Sequence, residues 1–385
     1  MNILFTCNEF PPFPFGGLGT FVSEMSICLS KQGHKIYIYG VYPSIDTRLE
    51  ENHNGVIIVR DPLIYPETKF RYLLRNRTAY ARAVNSMSHE YDIDIIEAHD
   101  TGGWFIFFRR KAPLFIRLHN GERYYKKRGI KISLVEMASF LFNPAHVIGP
   151  SRFILDKFTT HFRLRNPHSR YSVVYNGINI NNDELNERTN KTIVFAGTLK
   201  KIKGLDVLIN AFISSGLKDS GYTLQVYGKD TEISPDCTYW EYLIDTIGLL
   251  NDYILNKYIN YHGTISKNSL LKIFADTEIC VFPSHLESFG LVVIEAMSVG
   301  TLTIYTKQGA ASEIIEDGVD GFLVEANNPI ALSERLVEVV RLPEIKRRRI
   351  RLNAKEKAKS FSIEKCAERT VLLYTAELNN DTLEK

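Results

Sequence analysis

The sequence predicts an α/β protein built as two successive, doubly wound parallel-sheet domains. Three observations lead there. Short apolar runs alternate with segments of helical periodicity along nearly the whole chain. That alternation calls for crossover connections and a parallel sheet covered on both faces. The pattern lapses into a polar stretch at residues 176–190 (NGININNDELNERTN) and then restarts. At 385 residues the chain is also too long for one ordinary hydrophobic core. The expected division is a first domain over residues 1–178, a linker over 179–190, a second domain over 191–361, and a last segment, 362–385, whose helix returns to the first domain.

In order, residues 2–6 read as a strand, followed by a Pro- and Gly-rich loop (NEFPPFPFGGLG), a helix from Thr20 to Gln32, and a strand at 35–41. Strands follow at 56–60, 94–98, 114–118, 146–150 and 172–175, with helices at 68–88 and 152–162. In the second half, strands are expected at 192–196, 223–227, 259–262, 278–282, 302–305 and 321–324. Helices are expected at 205–215, 240–247, 269–275, 311–316, 329–340, 347–359 and 363–378. In such sheets ligands bind beyond the carboxyl ends of the strands, so the cleft between the domains is the expected active site.

Composition is that of a globular protein, with 44% hydrophobic and 24% charged residues. The five cysteines are scattered with no C-x-x-C pair, which reads as buried free thiols in a reducing compartment. No apolar run approaches a membrane span, and the chain opens directly on a strand with no basic leader, so a cytoplasmic location is expected. The net charge of +3 hides an asymmetry: residues 1–180 carry 23 Lys and Arg against 15 Asp and Glu, so the remainder carries 24 against 29. A basic first half points to an anionic partner for that half.

The most informative stretch is Ser284 to Gly300, SHLESFGLVVIEAMSVG, with Glu287 and Glu295 eight positions apart. A helix starting near Leu291, after a turn at Gly290, aims its first N–H groups at an anion such as a phosphate. Glu295 then lies inside an apolar helix, which is costly unless something hydrogen-bonds to its carboxylate. Two other strand-to-helix loops fit an anion. Gly16 and Gly17 allow close backbone approach, although a tight turn explains them equally well. The loop from Gly197 through Thr198 to Lys203 and Gly204 sets three lysines against the helix dipole, so either an anion meets at least one of them or the loop is simply a solvated basic one. His99 and His119 stand at carboxyl ends of parallel strands, as structural residues or as site residues.

Other matches are decoys. Asp92-Ile93-Asp94 has D-x-D spacing but begins a strand, the wrong end for a ligand. His285-x-Glu287 lacks the P-C-x-x-C of a zinc deaminase. Walker A, G-x-S-x-G and H-E-x-x-H patterns are absent. The basic residues Arg109, Arg110, Lys126, Lys127 and Arg128 are interleaved with Trp104, Phe105, Phe107, Phe108, Tyr124 and Tyr125. This fits a surface for an acceptor or an anionic membrane better than one for nucleic acid, with a merely solvated face as the alternative.

The GG loop, His119, Asn176-Gly177-Ile178, F-A-G-T-L-x-x-x-K-G, E-x7-E and DGVDGFLV occur in an order that resembles the family 4 retaining glycosyltransferases of GT-B architecture, over nearly the whole chain. The resemblance implies two Rossmann-like domains and transfer of a sugar from a nucleotide-diphosphate donor without a metal or cofactor, with retained anomeric configuration. It places Lys203 and the backbone of Gly16, Gly17, Gly290 and Leu291 at the diphosphate, Glu295 at the ribose, Glu287 at the transferred sugar and His119 near its reacting face. It implies a glycan acceptor, lipid-linked, at the inner membrane face, in cell-surface polysaccharide synthesis. The family's arginine is Thr198 here, which cannot neutralise a phosphate, and Lys200 or Lys201 would have to substitute for it. A nucleotide-sugar epimerase of the same architecture and a non-catalytic sugar-nucleotide-binding protein are the rival readings.

Overall fold

The computed structural model describes residues 1–13, 16–64, 69–109, 111–119, 138–140, 143, 145–162, 170–180, 185, 190–247 and 257–383. The chain forms two compact units, one of Met1–Asn179 with Ser362–Lys385 and one of Ile180–Phe361. Each carries its own sheet.

The first unit holds strands β1 (Asn2–Thr6), β2 (Lys35–Tyr42), β3 (Leu49–His53), β4 (Val56–Pro62), β5 (Ile95–His99), β6 (Leu114–Arg117), β7 (His146–Gly149) and β8 (Arg170–Val173). Their order is β3-β4-β2-β1-β5-β6-β7-β8. All pairs are parallel except β3 with β4, an antiparallel edge that the alternation of strands and helices did not predict. Along β1 the side chains divide by parity. Ile3 and Phe5 join a core with α1 (Gly17–Lys31) and the last helix, whereas Leu4 joins the opposite core under α2 (Lys69–Glu90) and α3 (Arg152–Phe162). A period of two with both faces buried is the mark of a central parallel strand. Helix α1 begins at Gly17, three residues earlier than expected, because Leu18 and Phe21 pack into that core.

The second unit holds β9 (Thr192–Ala196), β10 (Thr223–Tyr227), β11 (Glu232–Ser234), β12 (Cys237–Thr238), β13 (Ile259–Tyr261), β14 (Ile279–Phe282), β15 (Leu302–Thr306) and β16 (Phe322–Val324). The main sheet runs β13-β10-β9-β14-β15-β16 and is wholly parallel. In sequence order this is the 3-2-1-4-5-6 arrangement, whose switch point lies between β9 and β14. Its helices are α4 (Leu205–Ser214), α5 (Tyr239–Ile247), α6 (Lys267–Asp276), α7 (Leu291–Ser298), α8 (Ala311–Ile314), α9 (Pro329–Arg341) and α10 (Glu344–Ala358). The exposed hairpin β11–β12 was not expected from the sequence. Leu185, in the polar stretch, lies against Gly300 in this unit.

The last helix, α11 (Ile363–Leu383), belongs to the first unit: Ile363 N–H donates to Ile178 O at 2.8 Å, and Cys366, Ala367 and Tyr374 enter the core beside α1. All five cysteines are free; Cys237 is half-exposed rather than buried. Among the described residues no helix is long and apolar enough to cross a membrane.

Candidate functional site

The second unit gathers charge at its switch point. The loop after β9 and the loop after β14 leave adjacent strands at their carboxyl ends and lock together, His285 N–H donating to Ile202 O at 2.8 Å. The contact is close because Gly204, with φ +69°, has no side chain: a Cβ there would sit 2.1 Å from Pro283 O. The left-handed turn at Gly204 ends the short helix Lys201–Lys203 and starts α4. This arrangement turns Lys203 toward the β14 loop, where its Nζ meets Glu287 Oε2 at 2.5 Å, with Ser284 Oγ 3.5 Å from the same oxygen.

Beyond Glu287, Gly290 adopts φ +88° and ψ 54° and starts α7 with no side-chain cap and no acid in its first turn. The helix's own first turn thus brings no acid to its positive end. Glu295, only 9% exposed, has its Oε1 3.0 Å from Lys267 Nζ. Lys267 opens α6, whose cap is Ser266 Oγ accepting from Ser269 N–H at 3.1 Å. Sequence reading missed Lys267; the signal available was a lysine in a first helical turn, where the dipole disfavours it. Thr198 is half-buried and Leu291 follows the Gly290 turn. Lys200 and Lys201 instead line a pocket of about 420 Å³ with Thr231, Ile233, Tyr239 and Tyr242.

In the first unit the comparable switch point lies between β1 and β5. Gly16 is extended and Gly17 is already helical. The Gly19 N–H donates to Glu9 Oε1 at 3.2 Å, so an internal carboxylate stands at the start of α1. Glu9 was not singled out from the sequence, although an acid eight residues before an uncapped helix start was legible. His99, at the end of β5, is buried, with Nδ1 3.0 Å from Thr101 Oγ1. Burial lowers its pKa to about 4. His119, just past β6, donates its backbone N–H to Asp100 Oδ1 at 3.1 Å, and its ring centroid lies 5.3 Å from that of Phe21. Burial, Arg117 and His99 together push its pKa well below the ordinary value. Both imidazoles are therefore neutral at pH 7.

The basic aromatic surface is smaller than its sequence suggests. Phe105 and Phe108 are core residues, while Phe107 and Arg109 are exposed. Phe107 and Arg109 line a groove of about 810 Å³ with Leu74, Arg82, Asn85 and His89 of α2. Arg110, Lys126, Lys127, Arg128, Tyr124 and Tyr125 lie outside the described residues. Asp94 is structural, its Oδ2 accepting from Asn2 N–H at 2.7 Å. Among the described residues no group of three or more His, Cys, Asp or Glu is arranged to hold a metal ion.

Two α/β units, each built on a parallel or mostly parallel sheet, are the architecture of a GT-B glycosyltransferase. The model for glycosyl transferases group 1 matches residues 178–357, and that for Glycosyltransferase Family 4 matches residues 15–182. The chain belongs to the family 4 glycosyltransferases, enzymes of the EC 2.4 class. It is 26% identical over 331 residues to an uncharacterized glycosyltransferase of Methanocaldococcus jannaschii, covering 83% of this chain and 85% of that protein. The sucrose-phosphate synthase of Thermosynechococcus elongatus shares the fold, with a TM-score of 0.76 at 19% identity over 98% of this chain and 99% of that one. So does HepE of Anabaena, in complex with UDP and glucose, with a TM-score of 0.73 at 18% identity over 97% and 99%.

Proposed function

We propose that this enzyme is a retaining, metal-independent glycosyltransferase that moves a sugar from a nucleotide diphosphate to a glycan acceptor. The observation that carries the reading is the pairing of Lys203 with Glu287 at the β9–β14 switch point, beside the uncapped start of α7. The diphosphate leaving group gains negative charge in the transition state, and fixed donors there supply most of the stabilisation. Lys203 and the N–H groups after Gly290 are those donors. Glu295, steadied by Lys267, accepts from the ribose hydroxyls, Glu287 accepts from hydroxyls of the transferred sugar, and His119, neutral, is the first unit's contribution to the reaction of that sugar. The leaving phosphate takes the acceptor proton on the same face of the sugar, so no protein nucleophile is required. The complex of HepE with UDP and glucose supports a nucleotide-sugar donor.

The acceptor is lipid-linked, in the synthesis of a cell-surface polysaccharide such as lipopolysaccharide or capsule, and the enzyme works in the cytoplasm, peripheral to the inner membrane face. The support is the groove along α2, which joins Arg82 and Arg109 to exposed Leu74 and Phe107 and so suits an anionic, amphiphilic partner.

The test begins with a thermal-shift screen of nucleotide sugars, followed by transfer assays with lipid-linked acceptors in EDTA and NMR of the product. An inverted anomeric linkage, or dependence on added divalent metal, would refute the mechanism. Absence of binding to anionic vesicles at low salt would refute the membrane placement.

A further inference from the structure

Beneath His119 lies a fully buried ion pair that the reading above does not use. Arg117 ends β6 two residues before His119, as Glu97 precedes His99 by two on β5, and His99 is the register partner of Arg117. The Arg117 side chain is completely buried and that of Glu97 nearly so. Arg117 Nε donates to Glu97 Oε1 at 2.7 Å and Nη2 donates to Glu97 Oε2 at 3.3 Å. The last helix completes the shell: Nη2 also donates to Thr370 Oγ1 at 3.0 Å, and the Tyr374 hydroxyl donates to Glu97 Oε2.

Such a pair is not needed to hold the core. Replacing a buried ion pair by apolar groups of similar size is often neutral or stabilising, whereas removing one partner is strongly destabilising. What the pair fixes is a plane. The Arg117 guanidinium lies over the Phe21 ring, 4.8 Å from its centroid, and Phe21 in turn stands against His119. Phe21 is itself buried in the first turns of α1. The guanidinium, held by three oxygens from β5 and α11, therefore sets the ring against which the imidazole rests. A planar fork with several fixed donors does this in a way that a flexible ammonium cannot.

We propose that Arg117 is a positioning residue for sugar transfer: anchored by Glu97, Thr370 and Tyr374, it fixes Phe21 and through it the orientation of the His119 imidazole. This rests on the reading that His119 acts at the reacting face of the sugar. The last helix then contributes to the reaction without touching substrate. A charge at Arg117 also adds to the burial that keeps His119 unprotonated.

Three variants of the full chain test this. His119→Ala examines the underlying reading by itself: wild-type transfer in that variant would remove His119 from the reaction, whatever Arg117 does. With His119→Ala impaired, the paired variant Glu97→Gln/Arg117→Met is expected to lower kcat at least tenfold. Its KM for the donor should stay within about twofold, and the acid limb of its pH–rate profile should move to higher pH. A wild-type kcat with an unmoved acid limb would overturn the proposal. So would a proportionate rise in KM, the signature of a general loosening. If the paired variant fails to fold, Arg117→Lys decides. It keeps the charge, so the acid limb should stay in place while kcat falls, and wild-type kcat in that variant would overturn the positioning role.

Discussion

Gly204→Ala tests whether the junction of the β9 and β14 loops is what places Lys203. The new Cβ would sit 2.1 Å from Pro283 O. Separating them to an ordinary contact of about 3.0 Å moves one loop against the other by about 0.9 Å. Two costs add: about 1–2 kcal/mol for a non-glycine residue in the left-handed region and about 1–3 kcal/mol for the forced shift. The second unit should lose roughly 2–5 kcal/mol, or on the order of 4–20 °C in its thermal transition. Lys203 is the neighbouring residue, and a misplacement of ~1 Å at a reacting group can cost ~10²-fold. Differential scanning calorimetry and kcat at saturating donor, measured below the transition, read both quantities. Gly216→Ala is the control: φ is again +69°, but the nearest atom to its Cβ is Asp219 Oδ2 at 3.9 Å. It should lose only the strain, with kcat unchanged. If the two variants behave alike, the loop junction does not position Lys203.

Other outcomes follow from the same geometry. Lys203→Ala should reduce kcat by ~10²–10³, the loss typical of one donor to a developing charge, or about 3–4 kcal/mol. Because Lys203 and Glu287 are both partly exposed, stability should change by no more than about 1 kcal/mol; near-wild-type turnover removes the lysine from the mechanism. Glu295→Gln should raise the KM for the nucleotide sugar about tenfold and lift the penalty for replacing ribose by deoxyribose in the diphosphate. Equal discrimination by both proteins would place the ribose elsewhere. His99 gives a pH dependence. Its folded pKa of about 4 lies below the ordinary 6.5, so the unfolded state takes up the proton first, and its contribution is intact above pH 6.5 and lost as pH falls toward 4. The loss amounts to roughly 3 kcal/mol. Urea titrations of the wild type and His99→Gln should diverge over that window, and parallel curves would contradict the burial argument.

The periodic elements were legible because burial writes itself into sequence, and the missed strands lack that signal. Strand β3 reads LEENH and is exposed at all five positions; an edge strand with no buried face carries no apolar alternation. Strand β11 of the hairpin is likewise exposed at all three positions, and β12, half-buried, is only two residues long. Gly17 differs: the Pro- and Gly-rich run up to Gly19 reads as loop, yet the packing of Leu18 and Phe21 starts the helix at Gly17 despite the poor helix propensity of glycine. At the site, the anomalies were readable but their partners were not. Glu295 in an apolar helix and lysines against a helix dipole each demand a counter-charge. Lys203 and Glu287 are 84 residues apart, on different β–α units, and only the strand order brings them together. Glu97, Arg117 and Tyr374 belong to the same class, since no local pattern announces a pair closed by a helix 277 residues downstream.

The Lys203–Glu287 contact leads to one more prediction. The family's arginine is Thr198 here, and Lys200 and Lys201 face a separate pocket. Both histidines are neutral. On the proposed reading the positive charge for a diphosphate comes from Lys203 and the start of α7, and Lys203 is already engaged by a carboxylate at 2.5 Å. If the proposal holds, binding of a diphosphate competes with that contact, while the sugar engages Glu287. Glu287→Gln separates the two effects. With the competitor gone, a nucleoside diphosphate should bind about fivefold more tightly, a gain of roughly 1 kcal/mol for a partly exposed pair. Transfer should slow by ~10² because the charged acceptor of sugar hydrogen bonds is lost. Calorimetry with the nucleoside diphosphate and kinetics with the full donor measure the two effects independently. If affinity and rate fall together, Glu287 does not compete for Lys203 but orients it, and the carboxylate belongs to the diphosphate site rather than to the sugar site.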